Sequence, residues 1–513
     1  MSMLETWFRQ SIVFRFISFV INIINHSFIS KVVEFIGVVL VNSKVASFLR
    51  YIASRPYKPF SSFVYRFLEY FNRKTIGFRD KMLYMLKDSI LYRLLSPSKA
   101  FRIINVLLIP AVAFYALIDE IGRDILKGST LFGYWDEAFL LLCIFYVVMY
   151  WFFFKRESLN ITPLGAPMLL LISISVFIFI VNSTYPRLGF DGMRVIVQYV
   201  LWFFVLNSFI TDDKKAYLIV RFMVYMAGFM GLHGIYQYIK KVPTPAYWTD
   251  AAEGATGTRV FSFVESPNIL GSIFILMIPI CLALVLQEKR DFLDRSIFFI
   301  LLGAMGISLI LTLSRGAWLG AAAALFIFCL SINPRWLLLL VAGGSAVLFI
   351  PSVMSRIKYL LSPQYFISSM TGGRLMRYEK GWEIFTQNKL MGVGLGHFGG
   401  AVAMNNKDLI PDTFYMDNYW LKTMVEMGIL GIAAFGVLIL ALIIWSVRSI
   451  KQSGDYSSKL IASGGFAGLF GVIVHNLVEN VFEVPYMVVY FWVIAAIVLY
   501  FGFRRNKKKQ ITN

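Results

Sequence analysis

Arg315 lies in LILTLSRGAWLGAAAA (309–324), between two apolar runs, with no carboxylate within ten residues on either side. A charge near lipid costs about 2.5–3.5 kcal/mol at a helix centre on insertion scales, so something must hold it. Arg259 lies in TGTRVFSFVESPNILGSIF (256–274), just ahead of a helix that opens around Pro267. Proline there is pre-organised for a first helical turn. Two arginines at a lipid–water boundary point to an anionic ligand, because a guanidinium fork matches phosphate oxygens in a bidentate way that an ammonium cannot. For Arg315 alone, snorkelling to headgroups is an equal reading. With Arg259 on the same side of the membrane, the ligand reading gains.

A long segment, 352–426, carries the other chemistry-bearing residues in GGRLMRYEKGWEIF (372–385), GVGLGHFGG (392–400) and the start of MDNYWLKTMVEMGILG (416–431). Arg374 and Arg377 are further phosphate or sugar contacts. Asp417 is a candidate general base, and equally a candidate helix N-cap. Asn418 beside it is grouped with the substrate contacts. The four histidines, His26, His233, His397 and His475, lack metal-ligand spacing. His397 and His475 face the same side as Asp417 and stand as secondary candidates for substrate contact or base. Gly394-x-Gly396-x-x-Gly399 fits a dinucleotide fingerprint by letter, but no βαβ context surrounds it. A turn of closely packed backbone is the better account. With no metal cluster and no P-loop, neither metal nor nucleotide cofactor is expected.

The elements that position these residues are set by composition. Of 513 residues, 58% are hydrophobic and 15% charged, and the mean hydropathy is +0.69. Apolar runs of about 18 to 20 residues, enough to cross roughly 30 Å of hydrocarbon, recur along the chain. Twelve are expected, near 103–118, 136–154, 165–182, 195–210, 216–236, 268–286, 296–313, 316–332, 336–351, 427–447, 460–476 and 485–502. In lipid such runs must be helices, which satisfy their own backbone hydrogen bonds. The expected fold is therefore all-α and polytopic, with the long extracytoplasmic loop before the tenth helix. Cys143, Cys281 and Cys329 all fall in apolar runs and form no CxxC pair, which supports neither a disulfide framework nor a zinc site.

Residues 1–100 hold 15 Lys/Arg against 5 Asp/Glu, half of the chain's net charge of +20. Their alternation with aromatic residues, as in RYIASRPYKPFSSFVYRFLEYFNRK (50–74), suits helices lying in the headgroup plane against anionic lipid. No nucleic-acid-binding module is recognisable. Arg15 and Lys31 interrupt the N-terminal apolar runs, which speaks against a signal peptide. The division expected is a basic membrane-surface region (1–100), a transmembrane domain (101–503) and a basic tail (504–513). By the positive-inside rule FRRNKKKQ (503–510) is cytoplasmic. Counting back places 1–100, Lys155/Arg156, Lys214/Lys215, Lys289/Arg290/Arg295, Arg335 and Arg448/Lys451/Lys459 inside. The loop near 237–267, the turn at Arg315 and the segment 352–426 then face out.

The elements TRVFSFVESPN, TLSRGAWLG, GRLMRYEKGWEIF…GVGLGHF and DNYWLKTMVEMGILG occur in the order found in the O-antigen ligase/polymerase family, which the chain resembles over roughly residues 100–503. The family's signature is similar to His-Asn, nine residues, then Gly-x-x-Gly. Asn418, the nine-residue spacer, Gly428 and Gly431 are present, but Asp417 stands at the histidine position. That departure favours a carboxylate over an imidazole as base, and a polymerase or other ligase over one acting on lipid A. The resemblance implies a bacterial cytoplasmic membrane protein that takes an undecaprenyl-diphosphate-linked glycan as donor and a glycan hydroxyl as acceptor. It also implies membrane lipid, polysaccharide-assembly proteins and a flippase as partners. Arg259, Arg315 and Asp417 would be its catalytic residues. A ligase onto protein or cell-wall acceptors is the alternative. A lipid-linked oligosaccharide transporter is the rival of another class; it predicts charges deep in several spans and related halves, whereas the charges here cluster at one face and no internal repeat is seen.

Overall fold

The computed structural model describes residues 63–86, 98–126, 132–154, 162–245, 258–287 and 291–504, with isolated positions between 31 and 51 and at 88–89. Most of 1–62, residues 87, 90–97, 127–131, 155–161, 246–257 and 288–290, and those from 505 on lie outside the described residues, as do the expectations that concern them. Among the described residues there is helix and no strand.

In chain order the helices are α1 (Phe63–Leu86), α2 (Ser98–Ala113), α3 (Tyr115–Ile125), α4 (Trp135–Phe154), α5 (Gly165–Val181), α6 (Pro186–Phe209), α7 (Asp213–Ile239), α8 (Pro267–Val285), α9 (Phe292–Leu311) and α10 (Arg315–Ile332). There follow α11 (Leu337–Leu348), α12 (Pro351–Leu360), α13 (Pro363–Thr371), α14 (Arg374–Gln387), the single turn α15 (Ala401–Met404), α16 (Tyr419–Gln452), α17 (Tyr456–His475) and α18 (Pro485–Leu499). Eight of these are long and apolar enough to cross a membrane: α6 to α10 and α16 to α18; the bent pair Pro334–Leu348 and Pro351–Leu360 would make nine.

Among the described residues the number of about twelve is thus not confirmed, and the remaining runs differ from single straight spans in their own ways. The first run contains Pro110 and divides at Phe114 between α2 and α3, neither of which spans alone. The third is the 17-residue α5, about 25 Å of helix against roughly 30 Å of hydrocarbon. The ninth bends by 91° at its break. The second run is the 20-residue, strongly apolar α4.

Burial orders the bundle. In α8 and the α18 span, 89% and 94% of the most apolar window is buried within the protein, against 28% and 33% in α9 and α10. A helix apolar all round belongs in the centre of a bundle, and α8 and α18 are that centre. Close approach there depends on small residues in α17. Cβ atoms added at Gly464 and Gly468 would meet the backbone of Pro279 and Leu276 in α8 at 2.6 and 2.3 Å. Small residues are how membrane helices come close enough to gain packing.

The two sets of helix ends that charge placed on opposite sides keep to themselves. At one end Arg221 pairs with Asp294 at 2.7 Å, Tyr500 donates to Asp213 at 2.8 Å, and Arg448 lies over Trp445 and Phe503. At the other, Asn182 donates to Gly392 O at 2.8 Å, Arg259 to Thr312 O at 3.1 Å, and Tyr419 N to Asn476 O at 3.0 Å. The candidate site is built at this second end.

Candidate functional site

A chain of polar contacts crosses that end. Arg377 pairs with Asp417 at 2.7 Å, and Arg374 lies between Asp417 at 3.8 Å and Glu479 at 3.3 Å. Glu479 also accepts a short hydrogen bond from Asn268 Nδ2. Asn268 Oδ1 in turn accepts from Arg259 at 3.4 Å. Tyr378 seals the chain by donating to Asp417 O at 3.0 Å. Four separate elements therefore meet: the first turn of α14, the residues before α16, the linker after α17 and the first turn of α8. Burial works against the charge on Arg374, but Glu479 and Asp417 outweigh it and hold its pKa above the ordinary arginine value. Burial pushes the Glu479 carboxyl up, with Asp417 adding to the rise and Arg374 opposing it. Burial also pushes the Tyr378 hydroxyl up to about 12.

Arg259 and Arg315 reach this end through two joined loops. Val260 N donates to Leu311 O at 3.2 Å, tying the loop before α8 to the turn before α10. Ser266 caps α8, accepting from Ile269 N, with Pro267 as its first residue; Ser314 caps α10, accepting from Ala317 N. The helix start expected at the Pro-Asn pair is therefore where the chain makes it. Among the described residues the non-glycine positive φ angles are four, and Ser262, Glu265 and Leu313 in these two loops account for three of them. Backbone in this region costs of order 1–3 kcal/mol per residue and persists where surroundings enforce it. The Arg315 guanidinium lies 5.7 and 5.3 Å from the ring centres of Tyr359 and Tyr365, and Tyr365 is close enough to Arg374 to act on its charge.

The stretch from Asp417 to Gly431 divides its work residue by residue. Asn418, not Asp417, is the N-cap of α16, its Oδ1 accepting from Leu421 N at 3.0 Å. Asp417 is thereby left to the arginines, and Asn418 has a structural task where a substrate contact was expected. Gly428 interrupts α16 with φ 62° and ψ −160°. Into the break the loop 389–394 inserts its backbone: Ile429 N donates to Lys389 O at 2.8 Å, Val393 N to Val425 O at 2.9 Å and Gly394 N to Glu426 O at 3.1 Å. A Cβ at Gly428 would stand 2.4 Å from Leu390 C. Gly431 leaves room for the Met427 side chain that the break turns toward it.

The histidines divide as well. His397 is held from both sides, its Nε2 accepting from Tyr185 N at 3.0 Å and its Nδ1 donating to Leu395 O at 2.7 Å. Its ring has no nitrogen left for substrate. His475 is buried, with Nδ1 2.9 Å from Ser272 Oγ. Because Ser272 gives its own proton to Asn268 O, the ring donates from Nδ1. The Nε2 lone pair then has no partner and lies against Gly316, beside Arg315. His233 stacks on Phe263 at 4.0 Å, away from the chain of charges. Gly394, Gly396 and Gly399 take positive φ in packed turns, as the packed-turn reading requires. Among the described residues no group of three or more His, Cys, Asp or Glu is arranged to hold a metal ion.

Glu479 and Asn268 were not expected at the site. Asn268 was read only as part of a helix start. Glu479 had a visible signal: with Glu483 it is one of two acids in the short turn 476–484, at a helix end where a carboxylate needs a reason.

Fold and site together define a multi-pass helical membrane protein with a charged cluster at one end of its bundle. Residues 297–436 match the family model described as O-antigen ligase, so this stretch is similar to that family, the same one that the motifs resemble. The match gives the chain a membrane glycan function of the ligase or polymerase type. It takes in Arg315, Arg374, Arg377, His397, Asp417 and Asn418, while Arg259, His475 and Glu479 lie outside it. No curated protein matches the chain.

Proposed function

We propose that the protein transfers a glycan from an undecaprenyl-diphosphate-linked donor to the hydroxyl of an acceptor glycan at the outer side of the bacterial cytoplasmic membrane, as a polysaccharide polymerase. The carrying observation is the meeting of Arg259, Arg374 and Arg377 with Asp417 in one polar chain, with Arg315 one aromatic layer away. The arginines bind the diphosphate and stabilise the charge that develops on it as leaving group. Asp417, buried beneath the partly exposed Arg374 and Arg377, takes the proton of the attacking hydroxyl. The diphosphate is already an activated leaving group, so no nucleotide enters the scheme.

Arg377 binds the Asp417 carboxylate in the resting arrangement. For Asp417 to act, the donor must draw the guanidinium toward phosphate, which frees the carboxylate beside the acceptor. The test is an assay with purified protein, a defined lipid-diphosphate glycan and no other enzyme. Lengthening of the lipid-linked glycan is expected. Movement of the glycan to an added protein or cell-wall acceptor would replace polymerisation by ligation, and transport without bond formation would remove the enzyme reading.

A further inference from the structure

Glu479 does something that the transfer scheme leaves unexplained. It is an acid, 3% exposed, at the centre of a site meant for an anion. Its Oε2 holds Arg374 and Asn268 together, and its Oε1 accepts from Asn480 N at 3.3 Å. Through Asn268 it also reaches Arg259. One carboxylate thus joins the arginine of the long loop to the arginine of the core, which is the bridge a diphosphate bound to both would make.

We propose that Glu479 is the resident counter-anion of the site: it occupies Arg374 until the donor diphosphate takes that arginine over, and it is then neutralised by a proton from water. The inference rests on the diphosphate-binding reading above. The groups facing Glu479 make the exchange one-sided. Arg374 and Tyr378 come from α14, Tyr415 and Asp417 from the segment before α16, and Asn268 from α8; Arg259 stands behind Asn268, and His475 at the end of α17 is near Arg374. Arg374 is the cation in contact with it, and Asp417 across the arginine is a like charge. Once phosphate oxygens compete for Arg374, the carboxylate is left buried between Asp417 and the diphosphate, and burial and like charge both favour its neutral form. Protonated, it still accepts from Asn268 and keeps its place.

The sign follows from linkage. A group whose pKa is higher in the complex than in the free protein takes up a proton on binding, so affinity falls as pH rises between the two pKa values, by at most about tenfold per pH unit for one proton. The probe is undecaprenyl diphosphate, bound to the full-length protein in lipid nanodiscs between pH 5.5 and 8. The probe's own ionisation strengthens binding with rising pH and is common to all variants. Relative to Glu479→Gln, the wild type should lose affinity as pH rises, and at the upper end of the range Glu479→Gln should bind at least as tightly as wild type. A packing role predicts the opposite: Glu479→Gln binds more weakly and its pH profile runs parallel to wild type. That result overturns the inference and leaves the diphosphate reading standing, whereas a wild type that binds no probe at any pH overturns both. Calorimetry of the wild type alone, in two buffers of different ionisation heat, should give net proton uptake near one per probe; zero uptake also overturns it, whatever the variant does.

Discussion

Two buried clusters of charge lie about one turn apart at the start of α16, and they are built in opposite ways. In the first, Lys422 bonds Glu426 and Glu483 at 2.7 Å each, with all three side chains at most 10% exposed. The remaining carboxylate oxygens accept backbone donors, Glu426 from Phe398 N at 3.3 Å and Glu483 from Ala401 N at 2.9 Å. Nothing is left over. In the second, Arg374 is shared between carboxylates at 3.3 and 3.8 Å, Arg377 Nε is buried with no partner, and both arginines are a quarter to a third exposed. Charge alone does not mark a site, since the tighter cluster is the one that only fastens the 398–401 turn to α16. Bonds that are incomplete and reachable are what a ligand can replace.

The sharpest way to break this contrast is to change one group in each cluster. Asp417→Asn keeps the shape of the side chain and should leave folding intact, because the arginines it releases reach water. Loss of a general base typically costs about 10²–10⁴ in rate, and turnover of a lipid-diphosphate glycan should fall in that range. Arg315→Lys keeps charge but loses the planar fork and should cost about 10²–10³, with weaker donor binding, whereas Asp417→Asn should bind donor about as well as wild type. Full activity in both variants would remove the site. Lys422→Met is the counterpart. It leaves two carboxylates buried without their cation, and breaking such a pair costs about 3–5 kcal/mol. Thermal unfolding in detergent should shift strongly downward in Lys422→Met and little in Asp417→Asn. A normal melting curve for Lys422→Met would erase the distinction between the clusters.

Much of this was legible in the sequence, and the limits have physical causes. The all-α membrane fold follows from apolar runs that only helices can satisfy in lipid. The exact number of spans was not legible, because hydropathy stays high where the helix breaks at Phe114 and bends at Ile350. Arg259, Arg374, Arg377 and Asp417 were legible because charged residues at the ends of apolar runs stand out in so hydrophobic a chain. The pairing of Glu479 was not, because its partners are 105 and 211 residues away. The assignment of cap and base at 417–418 could not be read either, since Asp and Asn cap equally well; only the hydrogen bond to Leu421 N separates them. For His397 the sequence offered no way to see that Tyr185 N, 212 residues away, lies against its ring.

The break in α16 gives a smaller test on the same helix. Gly428→Ala would place a Cβ against the Leu390 backbone at a φ that side chains rarely adopt, so a loss of about 1–3 kcal/mol is expected. Because Gly428 fastens 389–394 and does not touch the charges, activity at low temperature should survive better than stability. Faster hydrogen exchange should appear at Val393 and Gly394, whose amides bond into the break. An unchanged exchange pattern would mean that the loop is held elsewhere.

The smallest effect is expected at Asn418, and it bears on the reading of the whole stretch. Its side chain is committed to Leu421 N, and removing an N-cap costs about 0.5–2 kcal/mol. Asn418→Ala should lower the melting temperature slightly. Asn418→Asp and Asn418→Ser should restore it, since both still offer an oxygen to the amide. Rates in the three variants should follow stability. If Asn418 instead contacts the substrate, Asn418→Asp and Asn418→Ser would recover the melting temperature without recovering turnover. Aspartate would be the worse of the two, because it adds a negative charge beside Asp417 at a site meant for phosphate. The divergence of stability from rate across these three substitutions is therefore the measurement that decides whether this asparagine serves the helix or the chemistry.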